Sequence, residues 1–157
     1  MKKYNLYLIM LIFLLACSEK SEDILNTKAS VQQNDELMEN PLLMHPITSS
    51  IQPKDSMMST LYGNDIAFDF AKKNIGSAYP NGAVLYEVSW KQKPDGLWFG
   101  ANVPDEISSV ERVTFKENNS YEYELYEGKP LKRMNPDSTH LTLRKHFVIA
   151  QKVAVSP

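Results

Sequence analysis

The feature that most limits how this chain can fold is a change of period near residue 80. Before it, Ile66 and Phe70, with Ala67 and Ala71, form i,i+4 pairs that put apolar side chains on one helical face. After it, Val84, Tyr86, Val88 and Trp90 alternate with Glu87 and Ser89, which is the period of a strand. Turn signals bracket that run, Tyr79-Pro80-Asn81-Gly82 ahead of it and Lys93-Pro94-Asp95-Gly96 behind it. The second turn joins a fixed proline φ to a permissive glycine, and predicts a hairpin leading into a strand at Leu97-Trp98-Phe99-Gly100-Ala101.

The spacing predicts a helix over Asn64 to Asn74. Asn64 is the N-cap, Asp65 sits near the positive helix end, Lys72 and Lys73 occupy the last turn, and Gly76 stops it. A further strand is expected at Ser109 to Lys116, turned by Asn118-Asn119 into another at Tyr121 to Tyr126. Glu127-Gly128-Lys129-Pro130 closes that strand, and Leu141 to Val155 reads as one or two more extended pieces. The fold class is therefore α+β, a mainly antiparallel β-sheet with a covering N-terminal helix. Residues 58–157 supply 100 positions for it, enough for one modest core.

The first 57 residues read differently. Lys2 and Lys3 precede the apolar run Leu6 to Ala16, which is too short to span a bilayer and fits a secretory signal. Leu14-Leu15-Ala16-Cys17 resembles the lipobox of bacterial lipoproteins, which implies cleavage after residue 16 and a diacylglyceryl group on Cys17. Ser18, in place of Asp, resembles the signal for outer-membrane sorting, with the periplasmic or surface-facing side left open. Residues 17–57 are polar, aperiodic and interrupted by Pro41, Pro46 and Pro53, and read as a lipidated disordered tether in which His45 is solvated. Leu37, Met38, Leu42, Leu43 and Met44 form a short apolar patch within it.

Composition removes several function classes. Of 17 Lys+Arg, Lys2 and Lys3 fall in the leader, so 15 basic residues remain against 19 acidic ones, and nucleic acid is not an expected partner. One cysteine cannot supply a disulfide framework, a cysteine-rich zinc site or a CxxCH haem-attachment motif. No Ser-His-Asp, Cys-His or glycine-rich phosphate pattern is present.

Three strings in order, Met58-Ser59-Thr60-Leu61-Tyr62-Gly63-Asn64-Asp65, Tyr79-Pro80-Asn81-Gly82-Ala83-Val84-Leu85 with Trp90, and Trp98-Phe99-Gly100-Ala101-Asn102-Val103-Pro104, resemble the extracytoplasmic branch of the cytochrome P-460 family, as does Ser109-Val110-Glu111. The resemblance covers most of residues 58–157. It implies a mainly antiparallel β fold with helices, often dimeric. Characterised members of that family are periplasmic monohaem cytochromes that oxidise hydroxylamine, and related members bind nitric oxide. The C-terminal stretch here, His140 to Val148, holds no cysteine, so covalent c-type haem is excluded.

The candidate sites follow. His140 and His146 are the histidines of the folded region and the candidates for an axial ligand to non-covalent haem, the one cofactor the resemblance suggests. Whether on a strand or a helix, six residues apart, they do not chelate one metal, and no metal site is assigned. Tyr86, Trp90, Trp98 and Phe99, with Gly100, are candidates for an apolar pocket taking a flat ligand, and equally for cross-strand aromatic packing. Glu122 and Glu124 share a strand face, which suits a hard cation or an acid/base pair as well as an ordinary polar face. The reading is a membrane-anchored lipoprotein, held through Cys17, whose P-460-like domain lacks covalent haem and works as a small-ligand binding module. The alternatives are a non-covalent haem redox protein acting on a small nitrogen compound, and a structural envelope protein that self-associates; catalytic residues are not assigned.

Overall fold

The change of period near residue 80 separates a helix from the longest hairpin of a single sheet. In the computed structural model residues 26–73, 78–135 and 138–153 are described, apart from the side chains of Asn119 and of residues 138–140. The leader and Cys17 lie outside the described residues. Among the described residues six strands run β1 (His45–Gln52), β2 (Met57–Gly63), β3 (Val84–Pro94), β4 (Asn102–Phe115), β5 (Tyr121–Glu127) and β6 (Lys132–Met134). They lie side by side in chain order, every neighbouring pair antiparallel. Helix α1 (Asp65–Lys73) joins β2 to β3, and α2 (Ser138–Ala150) follows β6. The architecture is α+β.

Both faces of the sheet are covered, which makes β3 buried on either side from Leu85 to Trp90. On one face Tyr86, Val88 and Trp90 join Ile107, Val110, Tyr126 and Leu131. On the other, Leu85 joins Ile47, Leu61, Val113 and Phe115 with Ala67 of α1 and Val148 of α2. Each fully buried aliphatic side chain of this kind contributes roughly 1.5–3 kcal/mol. Pro46 is tolerated because β1 is an edge strand, and a bulge between Pro46 and Thr48 accompanies the burial of Ile47.

The α1 cap forms as the sequence predicts. Asn64 Oδ1 accepts from the backbone N–H of Ala67 at 3.0 Å, and the same oxygen accepts from Val84 N–H while Nδ2 donates to the Gly82 carbonyl. One side chain thus starts the helix and ties it to the first residue of β3. Asn118 adopts φ 59°, the left-handed turn anticipated between β4 and β5.

Three expectations need correction. The stretch expected to be a disordered tether over residues 17–57 contains, over its described residues 26–57, a packed strap and β1. Residues 27–44 lie over the first sheet face, where Ala29, Val31, Leu37, Leu42 and Met44 pack on the core, while Met38 and Leu43 stay exposed. This strap has no regular period because its apolar residues meet the sheet from irregular backbone. Its polar groups are satisfied by the sheet instead: Trp90 Nε1 donates to the Ala29 carbonyl at 2.9 Å, Leu131 N–H to Asp35 Oδ1, and Glu36 N–H to the Leu131 carbonyl. His45 is not simply solvated: its ring stacks on Phe68, with Nε2 2.8 Å from Asp65 Oδ1.

The C-terminal stretch expected to be extended is α2. Its inward positions, Leu141, Arg144, Lys145, Val148 and Ile149, follow i, i+3, i+4, i+7, i+8 spacing, visible only when two cations are counted as inward-facing. The strand expected at Leu97 to Ala101 is instead the tip of the β3–β4 hairpin. Asp95 Oδ1 accepts from the N–H of Leu97 and Trp98, at 2.7 and 3.3 Å, and Gly100 at φ 81° returns the chain.

Gly63 lies where β2 hands over to α1, and a Cβ there would sit 2.7 Å from Ile47 Cδ1 and 2.9 Å from Ala67 Cβ. Gly63→Ala is expected to lower stability by about 1–3 kcal/mol in denaturant titrations. Gly96→Ala, where a Cβ meets nothing within 4 Å, changes it by less than about 0.5 kcal/mol.

Candidate functional site

The sheet register sets two rows of side chains beside one another on the α2-facing side. Ser50, Ser59, Ser89, Ser109 and Glu127 stand opposite one another across β1 to β5. The neighbouring row is Leu61, Glu87, Glu111 and Leu125. Glu87 and Glu111 are therefore a directly opposed pair, with Cβ atoms about 5 Å apart. Both are inside the protein, 0% and 1% exposed. Two unpaired carboxylates there would cost several kcal/mol each.

Arg144 of α2 resolves most of that cost. Its Nε donates to Glu111 Oε1 at 3.0 Å and its Nη2 donates to Oε2, a two-pronged pair. The Tyr123 hydroxyl donates to Glu111 Oε1 as well. Glu87 has weaker support. Gln151 Nε2 donates to Oε2 at 2.8 Å, while Oε1 has no hydrogen-bond partner among the described residues. Burial raises the Glu87 carboxyl above the ordinary carboxylate range, the Glu111 charge adds to that, and Ser59, Gln151 and Arg144 only partly oppose it. Burial, followed by its bond to Glu111, also raises the Tyr123 hydroxyl. The hydrogen bond to Glu111 raises Arg144 further, so its charge is secure.

A cavity of about 240 Å³ is lined by Ser59, Ser89 and Ser109, by Glu111, Tyr123 and Arg144, and by Gln52, Met57 and Glu127 among others. Hydroxyls that donate or accept by rotation line it, together with a fixed carboxylate–guanidinium pair. It can hold a small polar solute in a set orientation. A larger cavity, about 410 Å³, lies between the strap and the β5–β6 turn, and its cations, Lys28 and Lys129, are exposed.

The opposite face holds Tyr62, Tyr86, Arg112 and Glu124 in one cross-strand row. Arg112 Nη1 donates to Glu124 Oε2 at 2.8 Å, Arg133 lies 3.1 Å from Oε1, and Tyr86 donates to Glu39. Glu122 pairs with Lys116 at 2.6 Å. Glu122 and Glu124 are thus each held by cations, and among the described residues no group of three or more His, Cys, Asp or Glu side chains is placed to hold a metal.

The structure does not bring the aromatic candidates together. Tyr86 and Trp90 are buried beneath the strap, whereas Trp98 and Phe99 project from the hairpin tip with Gly100 closing the turn. His146 is exposed on α2, while the His140 side chain and Cys17 lie outside the described residues. A non-covalent haem needs a flat apolar slot with an axial side chain aimed into it. Tyr86 and Trp90 are engaged by the strap and His146 faces outward, so the described candidates do not fit that group.

Compared with known proteins, the chain matches no family model and no curated sequence. The cluster of Glu87, Glu111, Arg144, Tyr123 and Gln151 has no motif in sequence. Its one signal is Glu87 on the same strand face as Leu85, an acid among residues that an apolar layer would claim.

Glu87 binds its proton more tightly when folded than when unfolded. Stability from this group is fully present below its ordinary value of 4.5 and is lost as pH rises through the raised folded value. Glu87→Gln keeps the shape without titrating. Its Tm relative to the parent is expected to rise as pH is raised from 4.5 through the raised value of Glu87, whereas a pH-independent difference would show that Glu87 titrates normally.

Proposed function

We propose that this chain is a lipoprotein of the bacterial cell envelope, anchored outside the cytoplasm by lipid on Cys17, whose P-460-like domain lacks covalent haem and binds a small polar ligand. The anchor rests on the apolar run that ends at Ala16-Cys17, and Ser18 favours the outer membrane. Among the described residues no helix is long and apolar enough to cross a membrane.

The observation that carries the binding role is the cavity walled by three serines in strict register beside the Glu111–Arg144 pair. Serine is an unusual filling for a buried strand face, since it gives up the apolar burial that stabilises a sheet. Its use in three adjacent strands makes sense where a solute replaces water. At about 240 Å³ the cavity lies just under the common range for drug-sized ligands, so it selects a small molecule. Arg144 is already matched by Glu111, and Glu127 adds negative charge at the rim. The ligand class is an uncharged or singly cationic solute with several hydrogen-bonding groups.

Thermal unfolding of the full chain against a panel of small polyols, amides and amines tests this. A ligand at 100 times its Kd adds about 2.7 kcal/mol to stability. The expected result is a dose-dependent rise in Tm with one class, abolished in Ser109→Leu, which fills the cavity but unfolds cooperatively. No rise with any class, or a rise unchanged in Ser109→Leu, overturns the assignment.

A further inference from the structure

The β3–β4 hairpin ends in three consecutive large apolar side chains that stand exposed among the described residues. Leu97 is 91% exposed and Trp98 71% exposed, and Phe99 is fully exposed. The tip is a formed turn: Asp95 accepts from the N–H of Leu97 and Trp98, Asp95 N–H donates to the Ala101 carbonyl, and Ala101 N–H to that of Trp98. Its backbone is therefore held while the side chains point away from the sheet. From Gly96 to Ala101 it carries no charge, and the nearest lysines behind it are neutralised, Lys91 by Glu106 at 2.7 Å and Lys93 by Asp105 at 3.4 Å.

The N-terminal end of the described chain meets the sheet close to this tip. Asn26 Nδ2 donates to the carbonyls of Pro104 and Asp105 at 3.0 and 2.7 Å, three and four residues beyond Ala101. Cys17 precedes Asn26 by nine residues, which span at most about 32 Å whatever their conformation. A lipid on Cys17 therefore holds Asn26, and with it the Pro104–Asp105 segment just behind the hairpin tip, within that distance of the bilayer. We propose that Leu97, Trp98 and Phe99 insert into the interfacial layer of the membrane that holds this lipid, as a second contact that orients the domain. The proposal rests on the lipid-anchor reading above.

The occupant is a bilayer rather than a protein for reasons of area and shape. Aromatic side chains bury roughly 150–250 Å² each, so the narrow tip offers less than the ~800 Å² per partner of a stable protein interface. Trp beside Leu and Phe is the composition that settles at the boundary between headgroups and acyl chains.

The two tryptophans make the test specific, since Trp90 is buried and Trp98 is not. The full chain, expressed with its leader and purified with any lipid it carries, is placed in vesicles of zwitterionic and anionic phospholipid with and without brominated acyl chains. Mass spectrometry of the N-terminal peptide reports acylation of Cys17. The expected result is acylated Cys17, a blue shift and bromine quenching in the parent, and neither optical change in Trp98→Phe. Acylated, vesicle-bound protein with unquenched Trp98 overturns the tip contact and leaves the anchor standing. An unmodified Cys17 removes the anchor reading and this proposal with it. A Trp98 shift that appears with protein concentration in the absence of lipid assigns the tip to a second copy and also overturns the proposal.

Discussion

Two glutamates facing each other inside the sheet, with one arginine between them and solvent, set the terms for this protein. Cross-strand register forces Glu87 and Glu111 together, and burial makes their charges expensive. The arginine comes from α2, so the helix is held to the sheet by an ion pair as well as by Val148 in the core. The two carboxyls are supported unequally, because Arg144 and Tyr123 both donate to Glu111 while Glu87 has Gln151, and burial raises the Glu87 carboxyl above the ordinary carboxylate range. That asymmetry is what allows both to be buried.

The same arrangement keeps the neighbouring cavity polar. Arg144 and Tyr123 form part of its wall while they satisfy Glu111, so the groups that stabilise the fold are also the ones that would orient the proposed ligand. On the other face the strap takes the place a third helix would fill, and it engages Tyr86 and Trp90 as it does so. The two faces therefore differ: one is covered by the N-terminal segment, with a cavity left where that segment meets the β5–β6 turn, and the other retains a hydroxyl-lined space. The apolar hairpin tip lies outside both layers, at the end of the sheet where the strap begins.

Sequence legibility followed periodicity. Helix α1, its Asn64 cap, strand β3 and the Asn118 turn could be read because each depends on neighbours within a few residues. The strap could not, because Ala29, Val31 and Leu37 have no mutual spacing and gain their meaning only from the sheet they meet. Helix α2 was hidden by Arg144 and Lys145, which interrupt its apolar stripe. One of those cations turns inward only because Glu111, 33 residues away, is buried opposite it. Trp98 and Phe99 looked like partners for Trp90, yet Asp95 and Gly100 bend the chain before the return strand starts. The residues of the candidate site were the least legible, since what joins them is register across four strands and the docking of a helix.

A double-mutant cycle on Glu111→Leu and Arg144→Leu, read by denaturant unfolding, tests whether the buried pair acts as one unit. Removing one partner of a buried pair costs about 3–5 kcal/mol because the other charge is stranded. The expected outcome is two strongly destabilised single variants and a double variant less destabilised than either, which corresponds to a coupling of about 3 kcal/mol or more. Additive effects, with coupling below about 0.5 kcal/mol, would mean that α2 is held by apolar contacts alone and that the pair does not organise the site.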